Sequence, residues 1–121
     1  MAITAYVYNL IRETITTGIT HIEFQDSEGT PVGSRFAVND ETKVTMLDDL
    51  DPKTIQYQVV VNGADMGVGK TISKFGMFDA ETEGNSYNDG TLQDANGNNI
   101  DVTFGNSADT VTLTITVSTP L

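Results

Sequence analysis

The C-terminal part of the chain contains the pattern that most restricts its fold. From Thr110 to Ser118, hydroxyl and apolar residues alternate at every position. Successive side chains of a strand point to opposite faces, so this alternation predicts a β-strand with one apolar face and one face of hydroxyl groups. Pro120 follows closely and predicts the end of the strand.

A second segment, residues 54–61, alternates in the same way, with Ile55, Tyr57 and Val59 on one face. Asn62 and Gly63 come next and predict a two-residue turn. Threonine, a β-branched residue suited to strands, is frequent throughout the chain. Six further strands are predicted at residues 2–8, 14–24, 34–38, 42–47, 71–78 and 100–104.

No window shows a sustained helical spacing of apolar residues, although a single helical turn is considered at residues 48–53. About eight short strands separated by turn residues predict an all-β protein, an antiparallel β-sandwich of immunoglobulin-like or jelly-roll-like type. With 121 residues and no linker, the chain is predicted to form a single domain, residues 1–121. Residues 1–10 are interpreted either as the first edge strand or as an N-terminal arm that pairs with another subunit.

Residues 47–61, LDDLDPKTIQYQVVV, resemble the corner between strands E and F of fibronectin type III domains. That family has a Leu-x-Pro-x-Thr-x-Tyr motif before an alternating strand, whereas here Tyr57 comes one residue later. The chain also lacks the family's Trp. The resemblance covers these 15 residues and implies a sandwich corner rather than membership of the family.

Acidic residues outnumber basic ones by 17 to 6, so the net charge is −11. This charge disfavours binding to nucleic acids and to anionic membranes, which require Lys and Arg. The last basic residue is Lys74, and residues 75–121 contribute seven acids, which predicts one strongly anionic end of the sandwich. These acids are Asp79, Glu81, Glu83, Asp89, Asp94, Asp101 and Asp109.

Residues 79–99 contain only two large apolar residues, Tyr87 and Leu92. The segment is predicted to be one long acidic loop that projects from the core, or a polar hairpin with its turn at residues 88–90 or 96–97. It is interpreted either as a solvated surface loop or as a binding loop, in which Tyr87 would contact a glycan.

Oxygen-bearing side chains alternate at Asp94, Asn96 and Asn98, and Asp101 follows. Calcium-binding loops use carboxylates and amides at such spacing. The bidentate Glu and the flanking helices of the usual calcium motif are missing, so a plain Asn-Gly hairpin turn is the favoured interpretation. No metal site is assigned.

No catalytic constellation is found. Residues 64–71 fit a relaxed phosphate-loop pattern, but residues 72–78 predict a strand where such a loop needs a helix. The chain has no Cys and a single His, His21, and no Gly-x-Ser-x-Gly motif. We therefore predict a protein that is not an enzyme and uses no cofactor.

An acidic, Cys-free, Thr-rich β domain without a recognisable signal peptide resembles, in general character, the small virion proteins of tailed bacteriophages. That resemblance implies a structural protein such as a capsid decoration or tail accessory subunit. It would be made in the host cytoplasm, form homo-oligomers and contact its own copies or a capsid or tail protein. The alternative is a carbohydrate-binding β-sandwich module that uses residues 79–99.

Overall fold

The computed structural model describes residues 5–51 and 54–118. Within these ranges the chain forms two helices and nine strands. The helices are α1 (Ala5–Gly18) and α2 (Gly63–Met66); the strands are β1 (His21–Gln25), β2 (Pro31–Ala37), β3 (Val44–Asp51), β4 (Thr54–Asn62), β5 (Thr71–Ile72), β6 (Lys74–Phe78), β7 (Ser86–Thr91), β8 (Val102–Thr103) and β9 (Thr110–Ser118).

The strands form three antiparallel sheets. A four-stranded sheet has the order β2-β1-β6-β7, a three-stranded sheet has the order β3-β4-β9, and β5 pairs with β8. The two larger sheets share one hydrophobic core, so the predicted all-β, antiparallel, sandwich-like fold is confirmed.

The alternating strands supply much of this core. Ile55, Tyr57 and Val59 of β4 are almost fully buried, as are Leu113 and Ile115 of β9. The four-stranded sheet contributes aromatic rings from the opposite side. Phe24 and Phe36 meet edge to face, with their centroids 5.7 Å apart. Such a contact adds to the stability gained from the buried area alone.

The N-terminal prediction is wrong. Residues 5–10, assigned to an edge strand or arm, belong to α1, which continues to Gly18; residues 1–4 lie outside the described part. The predicted strand at residues 14–24 is also wrong in its first half, because β1 begins only at His21. Tyr8 is buried and Ile15 packs against the core, so tertiary contacts outweigh the low helix propensity of the β-branched residues.

Two predicted turns are also corrected. The helical turn at residues 48–53 is wrong where the chain is described, because residues 48–51 belong to β3. Since β3 pairs with β4, residues 47–51 and 54–61 lie in neighbouring strands of one sheet rather than at a corner between sheets. Asn62 and Gly63 do not form a hairpin turn, because Asn62 caps α2, and its side chain accepts a hydrogen bond from the Asp65 amide.

Residues 79–99 are not a single long loop. A turn at residues 79–85 leads into β7, which pairs with β6 as an outer strand. Residues 88–90 therefore lie in a strand, whereas the turn predicted at Asn96 and Gly97 is confirmed and closes a short hairpin through the Gln93–Asn99 bridge. In the described part of the chain, no helix has the length and apolar character needed to cross a membrane.

Candidate functional site

The most distinctive surface is the outer edge of β9, which we call the β9 edge. β9 pairs with β4 along its whole length, from Thr110 opposite Asn62 to Ser118 opposite Thr54. The ladder of nine residue pairs contains no bulge. On its other side, β9 has no strand partner among the described residues.

Hydrogen bonds define which backbone groups of β9 face outward. The Gly63 amide donates to the Asp109 carbonyl, and the Val60 amide donates to the Lys43 carbonyl on the other side of β4. Hydrogen-bonded and non-hydrogen-bonded pairs alternate in an antiparallel ladder, so the odd-numbered residues of β9 bond to β4. The amides and carbonyls of the even-numbered residues, such as Thr112, Thr114 and Thr116, therefore point away from the sheet.

Among the residues that the structure describes, the β9 edge lacks the features that usually prevent edge-to-edge pairing. Thr110–Ser118 contains no charged residue and no Pro. Natural sheets protect exposed edges with Lys, Pro, bulges, short strands or a covering helix. A nine-residue, regular and uncharged outer strand is a template for another strand.

A groove runs beside this edge, between β9 and the outer strand β7 of the other sheet. Its volume is about 850 Å³. The apolar residues of its lining are Phe75, Leu92, Ala95, Ile100, Val111, Leu113 and Ile115. Its polar lining includes two acidic residues and no basic one: the acids are Asp89 and Asp94. The groove thus presents apolar surface next to outward-facing backbone groups.

A second apolar surface lies on α1. Tyr6 is 71% exposed, and Val7 and Leu10 are 39% and 46% exposed. Residues three and four apart in a helix share a face, so these three side chains form one apolar stripe. Such stripes mark interaction sites more often than isolated exposed residues do.

The four calcium candidates are not brought together. The Asp94 Oδ1 atom accepts hydrogen bonds from the backbone amides of Asn96 and Asn98, at 2.9 and 3.0 Å. These amides, Asn98 first, hold the pKa of Asp94 below its ordinary value. The Asp101 carboxylate instead accepts from the Ser73 hydroxyl at 2.7 Å. Among the described residues, no group of three acidic or His side chains is placed to hold a metal ion.

The glycan candidate, Tyr87, lies on β7 and is 46% exposed. Its ring edge and hydroxyl occupy the space above Gly18 at the end of α1. A Cβ atom added at Gly18 would lie 2.5 Å from the Tyr87 hydroxyl. The helix end therefore holds the ring in place while about half of the side chain faces solvent.

The remaining motifs have structural contacts. The helix Gly63–Met66 covers the first residues of the phosphate-loop pattern rather than following it, and Thr71 begins a strand, so the loop lacks the helix that cradles phosphate. His21 begins β1, and its Nδ1 atom lies 2.9 Å from the hydroxyl oxygen of the preceding residue, Thr20.

One cluster was not predicted from the sequence. Arg35 of β2 forms a nearly buried ion pair with Glu23, with its Nε atom 2.8 Å from Oε2. Its Nη1 atom donates to the carbonyls of Ala80 and Glu83, and its guanidinium stacks 3.8 Å from the centre of the Phe78 ring. Arg35 therefore holds the acidic turn at residues 79–85. Within that turn, the Asn85 backbone amide and then its side chain keep the pKa of Asp79 below its ordinary value.

Comparison of the chain with protein-family models, with curated proteins and with solved structures finds no match.

Proposed function

We propose that this chain is a structural subunit of a virion that acts through contacts between protein subunits and performs no catalysis. In this proposal it is a capsid decoration or tail accessory subunit, made in the host cytoplasm. The proposal rests chiefly on the β9 edge and the partly apolar groove beside it, which together form a surface suited to another protein strand.

Two other features support a role in assembly. The uncharged stripe of Tyr6, Val7 and Leu10 on α1 exposes large apolar side chains to solvent. The strongly acidic remainder of the chain, with a net charge of −11, keeps such a protein soluble until it meets a partner. A subunit with two apolar contact surfaces can join a partner on each side.

The experiment uses particles from a lysate of the organism that carries this gene. Particles are purified by density-gradient centrifugation, and their proteins are identified by mass spectrometry. We expect peptides of this chain to co-purify with the particles in a constant ratio to the major capsid or tail protein across the gradient. A chain that remains in the soluble fraction would contradict the proposed function.

A second candidate function is glycan binding by a carbohydrate-binding module. The observation that favours it is the half-exposed ring of Tyr87, which the end of α1 holds in place. Aromatic rings of this kind offer a flat apolar surface with a polar tip. Binding on a glycan array that is lost in Tyr87→Ala and retained in Tyr6→Ala would favour this function, and an array without binding would exclude it for the glycans present.

A further inference from the structure

We propose that two copies of this chain pair through β9, antiparallel about a two-fold axis, so that two three-stranded sheets become one six-stranded sheet. This inference rests on the proposed function and names its first partner, a second copy of the chain. Three properties of the β9 edge support it: its backbone groups, its lack of charge and the apolar groove beside it.

The backbone of β9 is complementary to itself. When β9 is reversed about Thr114, Thr112 lies opposite Thr116, and Thr110 lies opposite Ser118. All of these even-numbered residues point their amides and carbonyls outward, so each opposed pair can exchange two hydrogen bonds. Their hydroxyl side chains fall on the same outer face, where Thr–Thr pairs stabilise adjacent strands.

The charge distribution favours a second copy at this edge. Two chains of net charge −11 repel each other over most of their surfaces. β9 contains no charged residue, whereas the outer strand β3 contains Asp48, Asp49 and Asp51, and the outer strand β7 contains Asp89. A second copy that docks on β9 therefore meets no charged residue on the strand itself, and the like charges beside the contact are those of Asp89 and Asp94, which line the groove.

In this arrangement, the groove provides a contact for the apolar face of the added strand. Odd-numbered residues of β9 face the core side of their own sheet, where Leu113 and Ile115 are buried and Val111 and Val117 are half-buried. In the paired arrangement, Val111 and Val117 of the second copy, which their own core leaves half-buried, face the groove lined by Leu92. The two-fold axis makes this covering reciprocal.

The first test measures the mass of the full chain by sedimentation velocity. Thr114→Pro removes an outward amide without removing a bond to β4, and Pro is tolerated in edge strands with that orientation. Thr114→Val keeps the amide. Met46→Pro is the matched control at the opposite edge of the same sheet. The β3–β4 register and the hydrogen bond from the Val60 amide to the Lys43 carbonyl show that the Met46 amide also points away from the sheet.

We expect the unmodified chain, Thr114→Val and Met46→Pro to sediment as dimers at high micromolar concentration, and Thr114→Pro to sediment as a monomer with an unchanged β-sheet circular dichroism spectrum. A monomeric unmodified chain would overturn the inference. So would a dimer that survives in folded Thr114→Pro, because the contact would then lie elsewhere.

A second test does not depend on the folding of a proline variant. The chain has no Cys, so Thr114→Cys and Thr45→Cys each provide a single site for a nitroxide spin label. Directly opposed Cβ atoms are about 5 Å apart, so labels at position 114 should show strong dipolar broadening, and labels at position 45 on β3 should not. Weaker coupling at position 114 than at position 45 would overturn the pairing.

The two proposals fail in different ways. A monomeric chain that co-purifies with particles would overturn pairing through β9 and leave the proposed function standing. A β9-linked dimer that is absent from particles would support the pairing and overturn the proposed function.

Discussion

β2 and β9 are both outer strands, one in each of the two larger sheets, but their edges differ. β2 begins with Pro31, which donates no backbone hydrogen bond, and contains Gly33 in a left-handed conformation at φ 66°. α2 lies against it, because a Cβ atom at Gly33 would be 2.5 Å from the Asp65 carbonyl oxygen. β9 has no Pro, no bulge and no covering helix among the described residues.

This difference shows that the molecule protects one edge and leaves another ready for pairing. Protection at β2 combines a missing donor, a register shift in its pairing with β1 and a covering helix, which are three of the usual means of preventing edge-to-edge association. At β9, beside the groove, the described residues show none of these three features. Substitutions at Arg35, Gly33 and Asn62 test how the β2 side is held, a substitution at Asp94 tests the hairpin beside the groove, and the variants of Thr114 described above test the β9 edge.

The largest effect is expected from Arg35→Ala on β2. The change leaves the Glu23 carboxylate nearly buried without its cation and removes the bonds to the Ala80 and Glu83 carbonyls. Breaking one half of a buried ion pair costs about 3–5 kcal/mol, so we expect a loss of that size in the free energy of unfolding. Urea denaturation followed by circular dichroism measures it.

The control for this prediction is the double variant Glu23→Gln with Arg35→Met, which leaves no unpaired charge. We expect it to be clearly more stable than Arg35→Ala. Equal losses in the two variants would show that the ion pair is not what holds β2 to the turn at residues 79–85.

A smaller effect is expected from Gly33→Ala. The left-handed backbone at this position is unfavourable for any residue with a Cβ atom, and the new methyl group would meet the Asp65 carbonyl oxygen. We expect a loss of about 2 kcal/mol. Gly29→Ala is the matched control, because Gly29 has a similar φ of 82° but open space around it. If both variants lose the same stability, the packing of α2 on β2 contributes nothing beyond backbone strain.

The fold of β4 and β9 could be predicted because their alternation is local and regular. Thr110–Ser118 is found with the predicted bounds, and β4 exceeds its predicted bounds by one residue. α1 was missed although Tyr8, Ile15 and Ile19 recur at a helical spacing and are the residues that turn toward the interior. Two exposed apolar residues, Tyr6 just before this series and Leu10 within it, hid the periodicity.

The candidate site could be predicted only in part. The alternation in β9 shows that the strand has one apolar face, but whether its edge is open depends on strand order, which pairings between distant residues determine. The same holds for Arg35, whose carbonyl partners lie 45 and 48 residues later in the chain. Short motifs were less informative, because Asp94 uses its carboxylate to close its own turn.

A loss of about 1 kcal/mol is expected from Asn62→Ala, which removes the side-chain acceptor for the Asp65 amide at the start of α2. Because α2 covers β2, we also expect the substitution to accelerate hydrogen exchange in Pro31–Ala37. The increase over the unmodified chain should be larger there than in Thr110–Ser118. Asn62→Ser, which retains a capping oxygen, is the control. Unchanged exchange in β2 would mean that α2 does not protect that edge.

The smallest effect concerns acid and the hairpin beside the groove. The Asn98 and Asn96 amides lower the pKa of Asp94 in the folded state from its ordinary value of 3.8. A carboxyl group with a lowered pKa stabilises the fold at pH values above its pKa in the unfolded state. This contribution is lost as the pH falls below 3.8 and through the pKa of the folded state.

Asp94→Asn keeps an acceptor oxygen for the turn but does not titrate. We therefore expect the urea midpoint of the unmodified chain to fall slightly more than that of Asp94→Asn as the pH is lowered through this range, and parallel curves would contradict the prediction. Asp89→Asn, at the same groove, removes one negative charge outside this turn and is the control for the general effect of charge.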